Sequence, residues 1–144
     1  MGVLEQMTGD IEREMAAGNW PKALELSREL AHKVPTSPKL HAYVGICCFR
    51  LQRFDEAVNS FRVALTLDDK YFDVALKLAQ CLDRLMRYDE ALTAAEIAVK
   101  LRPSDTTANV LINGLRRQVQ HKHTGDGWVA SKPWHNVTFA DEDR

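Results

Sequence analysis

Over the first 120 positions, apolar residues recur at the three-to-four spacing that gathers them on one helical face. Leu4, Met7, Ile11 and Met15 make the first such stripe; Ala23, Leu26, Leu30 and Ala31 make the second. Short polar or proline-bearing breaks separate the runs: Gly18-Asn19, Pro35-Thr36-Ser37-Pro38, Asp68-Asp69 and Pro103-Ser104-Asp105. The pattern predicts seven helices, at 3–17, about 21–33, 38–51, 55–67, 72–85, 89–101 and 106–120. Pro21 and Pro38 fit first turns, where a missing N–H costs little. Ser37 is a good N-cap, and Ser104 or Asp105 serves the seventh helix. Asp55 and Glu56 sit at a positive helix end.

The polar pattern is itself periodic. RFDEAVNSFRVALTLDD, Arg53 to Asp69, returns 34 residues later as RYDEALTAAEIAVKLRP, Arg87 to Pro103. A fainter copy, NWPKALELSRELAHKVP, runs from Asn19 to Pro35, with Trp20 in the aromatic place and Ala23 in the alanine place. A fixed period of this length means a stacked array of helix pairs, each too small to bury its apolar face alone. The first helix departs from its copies, with Asp10 and Glu14 where they are apolar. That suits a solvent-facing end of the stack. The seventh helix has no partner, and Arg116, Arg117, Gln118 and Gln120 give it the polar outer face of a cap.

Composition narrows the setting. The 144 residues are 45% hydrophobic with a net charge of −1, enough for one packed core and no reason to invoke nucleic acid or an anionic membrane. No apolar run is long enough to span a bilayer, and MGVLEQMTGD lacks a secretory pattern. Three cysteines, an odd number inside helical stripes, point to a reducing compartment, and the expected location is cytoplasmic. Cys47 and Cys81 read as small buried hydrophobes.

The period and its small residues resemble the tetratricopeptide repeat family, whose unit follows a W-x-x-L-G-x-x-Y … A-x-x-x-F-x-x-A … P pattern. The middle copy matches with Val44-Gly45, Ala57, Phe61 and Ala64, the third with Leu78, Ala79, Tyr88, Ala91, Ala98 and Pro103, the first with Trp20, Ala23 and Pro35. His41, Cys48, Asp69 and Ala95 depart from it. The likeness covers roughly Leu4 to Gln120 and is densest over 38–103. It implies an all-α, right-handed solenoid of three helix pairs (about 4–37, 38–71 and 72–105) with a capping helix at 106–120. Together these make one domain, 1–120, followed by a flexible tail, 121–144. Gly45 or Ala79, facing Ala57 or Ala91, would let the helices of a pair approach closely, with Phe54 and Tyr88 plugging the turns.

The resemblance also implies a concave groove lined by the first helix of each pair. Carried over place by place, the partner-binding candidates are Lys39, Ala42, Tyr43, Ile46, Phe49 and Arg50, then Leu76, Lys77, Gln80 and Arg84, then Val110, Leu111 and Arg117. Asp73, Asp83, Thr107, Gly114 and Gln118 lie on the same surfaces. Its centre is apolar, as a binding site would be, although Ile46 and Phe49 could instead pack on the first pair. Arg50 and Arg84, one period apart, could hold a carboxylate or be simply solvated. The clamp with which some family members hold acidic chaperone tails is absent. Thr8, Glu12, Tyr43, Asp73 and Lys77 stand in its places, and only Lys77 has the right charge.

The tail holds Trp128, Trp134 and Phe139 ahead of Asp141, Glu142 and Asp143. It is a candidate ligand for the groove, in its own molecule or a neighbour, and a free tail is the alternative. His121, His123 and His135 lack a fixed fourth ligand, so no metal or other cofactor is expected. No catalytic constellation occurs, and the chain reads as a non-catalytic adaptor or scaffold for a protein or peptide partner. A dedicated chaperone shielding one apolar segment, of the type III secretion kind, and a subunit of a larger assembly are the alternatives. A homodimer through groove or tail is compatible with either.

Overall fold

The computed structural model describes residues 2–124, with side chains to His121. Its elements are α1 (Val3–Ala16), α2 (Trp20–Lys33), α3 (Pro38–Arg50), α4 (Phe54–Leu67), α5 (Phe72–Arg84), α6 (Tyr88–Leu101) and α7 (Thr106–Thr124). There is no strand among the described residues, and the chain is a right-handed helical solenoid of three pairs and a cap. The first six helices lie within about a residue of the pattern's bounds. The seventh runs four residues past its expected end at Gln120, so residues 121–124 are helical rather than tail. No breaker stands there; glycine first appears at Gly125. Residues 125–144, with Trp128, Trp134 and Phe139, lie outside the described residues.

Caps follow the local chemistry. Ser37 Oγ accepts the Leu40 N–H at 3.3 Å, and Asp105 Oδ2 accepts that of Ala108 at 2.9 Å. Within each pair the turn is built the same way. Gly18, Gln52 and Met86, spaced by 34, take φ of 77°, 62° and 60°. The following N–H groups of Asn19, Arg53 and Arg87 reach back to the carbonyls of Glu14, Cys48 and Leu82 at 2.8–2.9 Å. These are the bonds of a Schellman close, which needs one left-handed residue. The first turn has glycine there; the other two place a side chain in a strained region.

Each helix packs on the next in sequence, and α3 also reaches α5 as α5 reaches α7. The odd-numbered helices therefore approach one another and form the inner side of the curve. The main core runs from Ile11 to Leu115, and a smaller cluster gathers Phe72, Ala75, Ala98 and Ala108. Its centre is an exchange of volume between the two helices of a pair. The Gly45 backbone lies so close to the fully buried Phe61 ring that a Cβ there would come within 2.5 Å of it. The ring, rather than Ala57, is thus what Gly45 makes room for. One period on, both places hold alanine, Ala79 and Ala95; one period back stand Ile11 and Ser27, and all four are fully buried. Ser27 satisfies its buried hydroxyl by donating to the Ala23 carbonyl at 2.8 Å.

On the outer side the pairs are tied by a repeated ion pair. Arg28 meets Glu56, and Arg62 meets Glu90 at 2.7 Å. Both span 28 residues, from one even-numbered helix to the next.

Candidate functional site

The inner face of α3 begins with a polar knot. Glu12 of α1 accepts a hydrogen bond from the Tyr43 hydroxyl and pairs with Lys39 at 3.3 Å. The Tyr43 bond, followed by the one from Lys39, holds the Glu12 carboxyl below the usual range. Burial, and then that same bond, push the Tyr43 hydroxyl well up. Lys39 also lies over the Tyr43 ring, 5.6 Å from its centroid. The clamp place occupied by Glu12 is thus spent within the molecule. Its role was not evident from the sequence; the i, i+34 arithmetic that set Lys39 and Tyr43 on the groove puts Glu12 opposite Ile46, one turn away.

Further along, aromatic rings carry the cations. Lys77 sits 5.6 Å from the Phe49 ring centre. Arg84 lies over both Phe49 and Phe54, at 5.8 and 5.6 Å. Phe49 and Phe54 themselves meet edge to face at 5.6 Å. Arg50 lies over Trp20 at 5.3 Å. One period separates Arg50 from Arg84 and Trp20 from Phe54, so this is one contact made twice. Both arginines are exposed, and each guanidinium rests on the ring at the preceding turn.

Of the remaining candidates, Ile46, Leu76, Gln80 and Leu111 are half-buried, Arg117 is exposed and Val110 is 52% exposed. Tyr43, Ile46 and Phe49 do pack on the main core, yet each keeps some surface. Ala42 does not belong to the surface: it is 1% exposed, because its short side chain is turned into the core. Gly114 and Gln118 are buried as well. Gln118, expected on the polar outer face, is 6% exposed; it stands where Arg50 and Arg84 stand in the copies before it.

Beyond Phe49, one period on, the same place is Asp83. With Val110, Leu111, Gly114 and Leu115 of α7 it lines a narrow cleft of only about 10 Å³, room for about one water. Burial pushes its pKa from 3.8 up to about 6, against a smaller downward pull from Arg84. The sequence placed Asp83 on the groove but gave no sign that an acid would be sunk between two helices.

The thiols offer no chemistry here. Cys47, Cys48 and Cys81 are free and buried, and burial pushes Cys47 up to about 11 and Cys81 up to about 12, far from a reactive thiolate. No described helix is long and apolar enough to cross a membrane.

A family model described as tetratricopeptide repeat matches residues 11–72. The Arabidopsis OM64 TPR domain is similar in structure, with a TM-score of 0.75 at 23% identity, over 80% of this chain and 95% of that one. So is the first TPR of Spaghetti (RPAP3) bound to the HSP90 peptide SRMEEVD, at 0.77 and 17%, over 81% and 93%. The Yersinia enterocolitica type III secretion chaperone SycD in complex with a peptide of the translocator YopD gives 0.76 and 17%, over 80% and 93%. No curated protein matches. At these identities the likeness carries the fold and leaves the ligand open.

Proposed function

We propose, for a chain that belongs to the tetratricopeptide repeat family, that it is a non-catalytic adaptor whose inner face takes a peptide or helix of a protein partner. The observation that carries this reading is the apolar surface left open on successive odd-numbered helices. Tyr43, Ile46 and Phe49 on α3, Leu76 on α5 and Leu111 on α7 are half-buried, and Val110 on α7 is more than half exposed. Apolar surface arrayed across neighbouring helices, with cations already seated on its rings, is what a peptide-sized ligand would cover. Similar folds hold peptides in the SycD–YopD and RPAP3–HSP90 complexes.

An acidic chaperone tail is not the proposed ligand. Glu12 and Asp73 stand where the family's clamp has neutral or cationic groups, and Glu12 has already taken Lys39. A partner's apolar segment fits better, whether the chain acts as an adaptor, as a dedicated chaperone or within a larger assembly. The buried free thiols favour a reducing, cytoplasmic setting. Residues 125–144 carry their own apolar and aromatic segment. As a tethered ligand they would compete at an effective concentration of order millimolar.

Affinity capture with mass spectrometry tests the reading, using wild type, Leu76→Ala/Val110→Ser on the inner face and Val63→Ser on the outer. The inner-face variant should lose the partners that wild type and Val63→Ser both retain. Equal recovery by all three would place the site elsewhere. Removing 125–144 should increase recovery if the tail competes, and leave it unchanged if it does not.

A further inference from the structure

We infer that the joint between the first and second helix pairs carries a docking site of its own, for an aspartate or glutamate of a protein partner and the apolar residue beside it. The site is a surface pocket of about 380 Å³, lined by Pro21, Leu24, Glu25 and Arg28 of α2 and by Leu51 and Arg53 of the turn after α3. None of these residues is an inner-face candidate, and the site is independent of the reading proposed above. The next joint along the stack shows what the repeat places there. Arg87 meets Glu90 at 2.7 Å and Asp55 at 3.9 Å, while Glu90 also accepts from Arg62 at 2.7 Å. Arginines and acids thus alternate across that joint. One period back the arginines are Arg53 and Arg28, and Glu56 stands for Glu90. The place of Asp55 is Pro21, so one acid is missing.

The loss leaves Arg53 without a carboxylate. Glu56 pairs with Arg28, and no ion pair or side-chain hydrogen bond reaches Arg53 among the described residues. Arg28 is held in place, since its Nη2 donates to Glu56 and lies 3.8 Å from the Cys48 sulfur. A guanidinium has five N–H donors, so Arg28 can take a second acid as Arg87 does. Pro21, the buried Leu24 and the half-buried Leu51 make the rest of the lining apolar, apart from Glu25. Glu25 is mostly exposed and meets Lys22 at 3.6 Å. With Glu25 set against Lys22 and Glu56 against Arg28, the charge left over is that of Arg53. One carboxylate balances it, and a doubly charged phosphate would exceed it. A carboxylate there forms charge-assisted bonds that apolar surroundings strengthen. The volume lies in the range of ligand pockets and holds an acidic side chain with an apolar neighbour. The inner face differs, because Glu12 and Asp73 stand there against an acidic ligand.

The probe is a random dodecapeptide display library, first depleted on immobilised full-length Arg53→Gln and then panned on the immobilised wild-type chain. Depletion removes peptides that bind elsewhere, the inner face included. The remainder should share an aspartate or glutamate beside an apolar residue. A synthetic peptide from that set, followed by fluorescence anisotropy, should bind Arg53→Gln about five- to tenfold more weakly. That exceeds an ordinary surface pair because the contact sits on an apolar lining. Pro21→Asp supplies from within the acid that the next joint has, and should lower the affinity by a similar factor. Leu76→Ala/Val110→Ser should leave it unchanged. Replacing the peptide's acid by the corresponding amide should erase the difference between wild type and Arg53→Gln. Selected peptides without an acid, equal affinity for wild type and Arg53→Gln, or no peptide enriched at all would overturn the inference. So would a peptide weakened by Leu76→Ala/Val110→Ser but not by Arg53→Gln, a result that leaves the inner-face reading standing. Pro21 and Arg53 are both exposed, so neither change opens the core. Circular dichroism and urea unfolding check that each variant folds as wild type does.

Discussion

The middle and third helix pairs share one backbone and fill it in different ways. In the interior, each departure in one pair is met by another: Gly45 under the Phe61 ring becomes Ala79 opposite Ala95, and all stay buried. On the inner face the departure is unmet. Phe49 has a ring, an edge-to-face neighbour and two cations upon it; Asp83, in the same place, has a carboxyl with no donor among the described residues. Compensated change marks where the fold sets the terms. Uncompensated change marks where packing within the chain does not.

The interior half of that contrast gives the largest effects. Phe61→Ala should cost about 3–5 kcal/mol in urea unfolding, by loss of a fully buried ring. Gly45→Ala gains about 1 kcal/mol of helix propensity. It nevertheless drives a Cβ to within 2.5–2.9 Å of three atoms of that ring, so a net loss of about 2 kcal/mol is expected. Gly45→Ala/Phe61→Ala recreates the alanine pair of the third repeat. Its cost should fall below the sum of the singles by at least about 1 kcal/mol. Strict additivity would break the comparison, because the two places would then not be exchanging volume.

The exposed half predicts a pH dependence of opposite sense to an ordinary salt-bridged acid. Asp83 is raised from 3.8 to about 6 in the folded chain, so folding favours its neutral form. Its contribution is fully present below about 3.8 and is lost as pH rises through about 6, because the unfolded chain releases the proton first. Asp83→Asn should therefore be more stable than wild type at pH 7 by about 1–2 kcal/mol, after allowing for partial solvent access. The two should converge toward pH 4. An unchanged difference across that range, followed by urea titration, would mean the carboxylate is well solvated, and the contrast with Phe49 would lose its meaning.

Most of the fold was legible because its signals are periodic. Apolar spacing and Pro38, Ser37 and Asp105 placed the helix ends, and a 34-residue repeat fixed which residues share a face. Neither signal reports direction within a face. Ala42 and Gln118 satisfied the groove arithmetic, yet packing turned both inward. Arg50 and Arg84 share a place in the repeat, but the rings they rest on are contributed by the preceding pair, a contact only the fold brings together. Glu12 carried no local signal, since its partners Lys39 and Tyr43 lie on another helix. The tail's aromatic residues lie beyond what the structure describes.

The smallest effect concerns a feature the two pairs share. Gln52 and Met86 hold the same left-handed turn position, at φ 62° and 60°, where the first pair has Gly18. A Cβ there costs about 1–2 kcal/mol, whereas glycine adds somewhat less in unfolded-chain entropy. Both side chains are exposed, Met86 at 65%, so replacement sacrifices little packing. Gln52→Gly and Met86→Gly should each raise stability by about 0.5–1 kcal/mol, by nearly equal amounts, and together additively, since their turns belong to different pairs. Thermal and urea unfolding of the two single variants and the double variant measure this. A gain at Gln52 with a loss at Met86 would mean that Met86 has a contact to lose, and would extend the contrast between the pairs from the groove to the turn beside it. Equal gains would confine that contrast to the places where side chains meet, with the backbone of the two pairs the same.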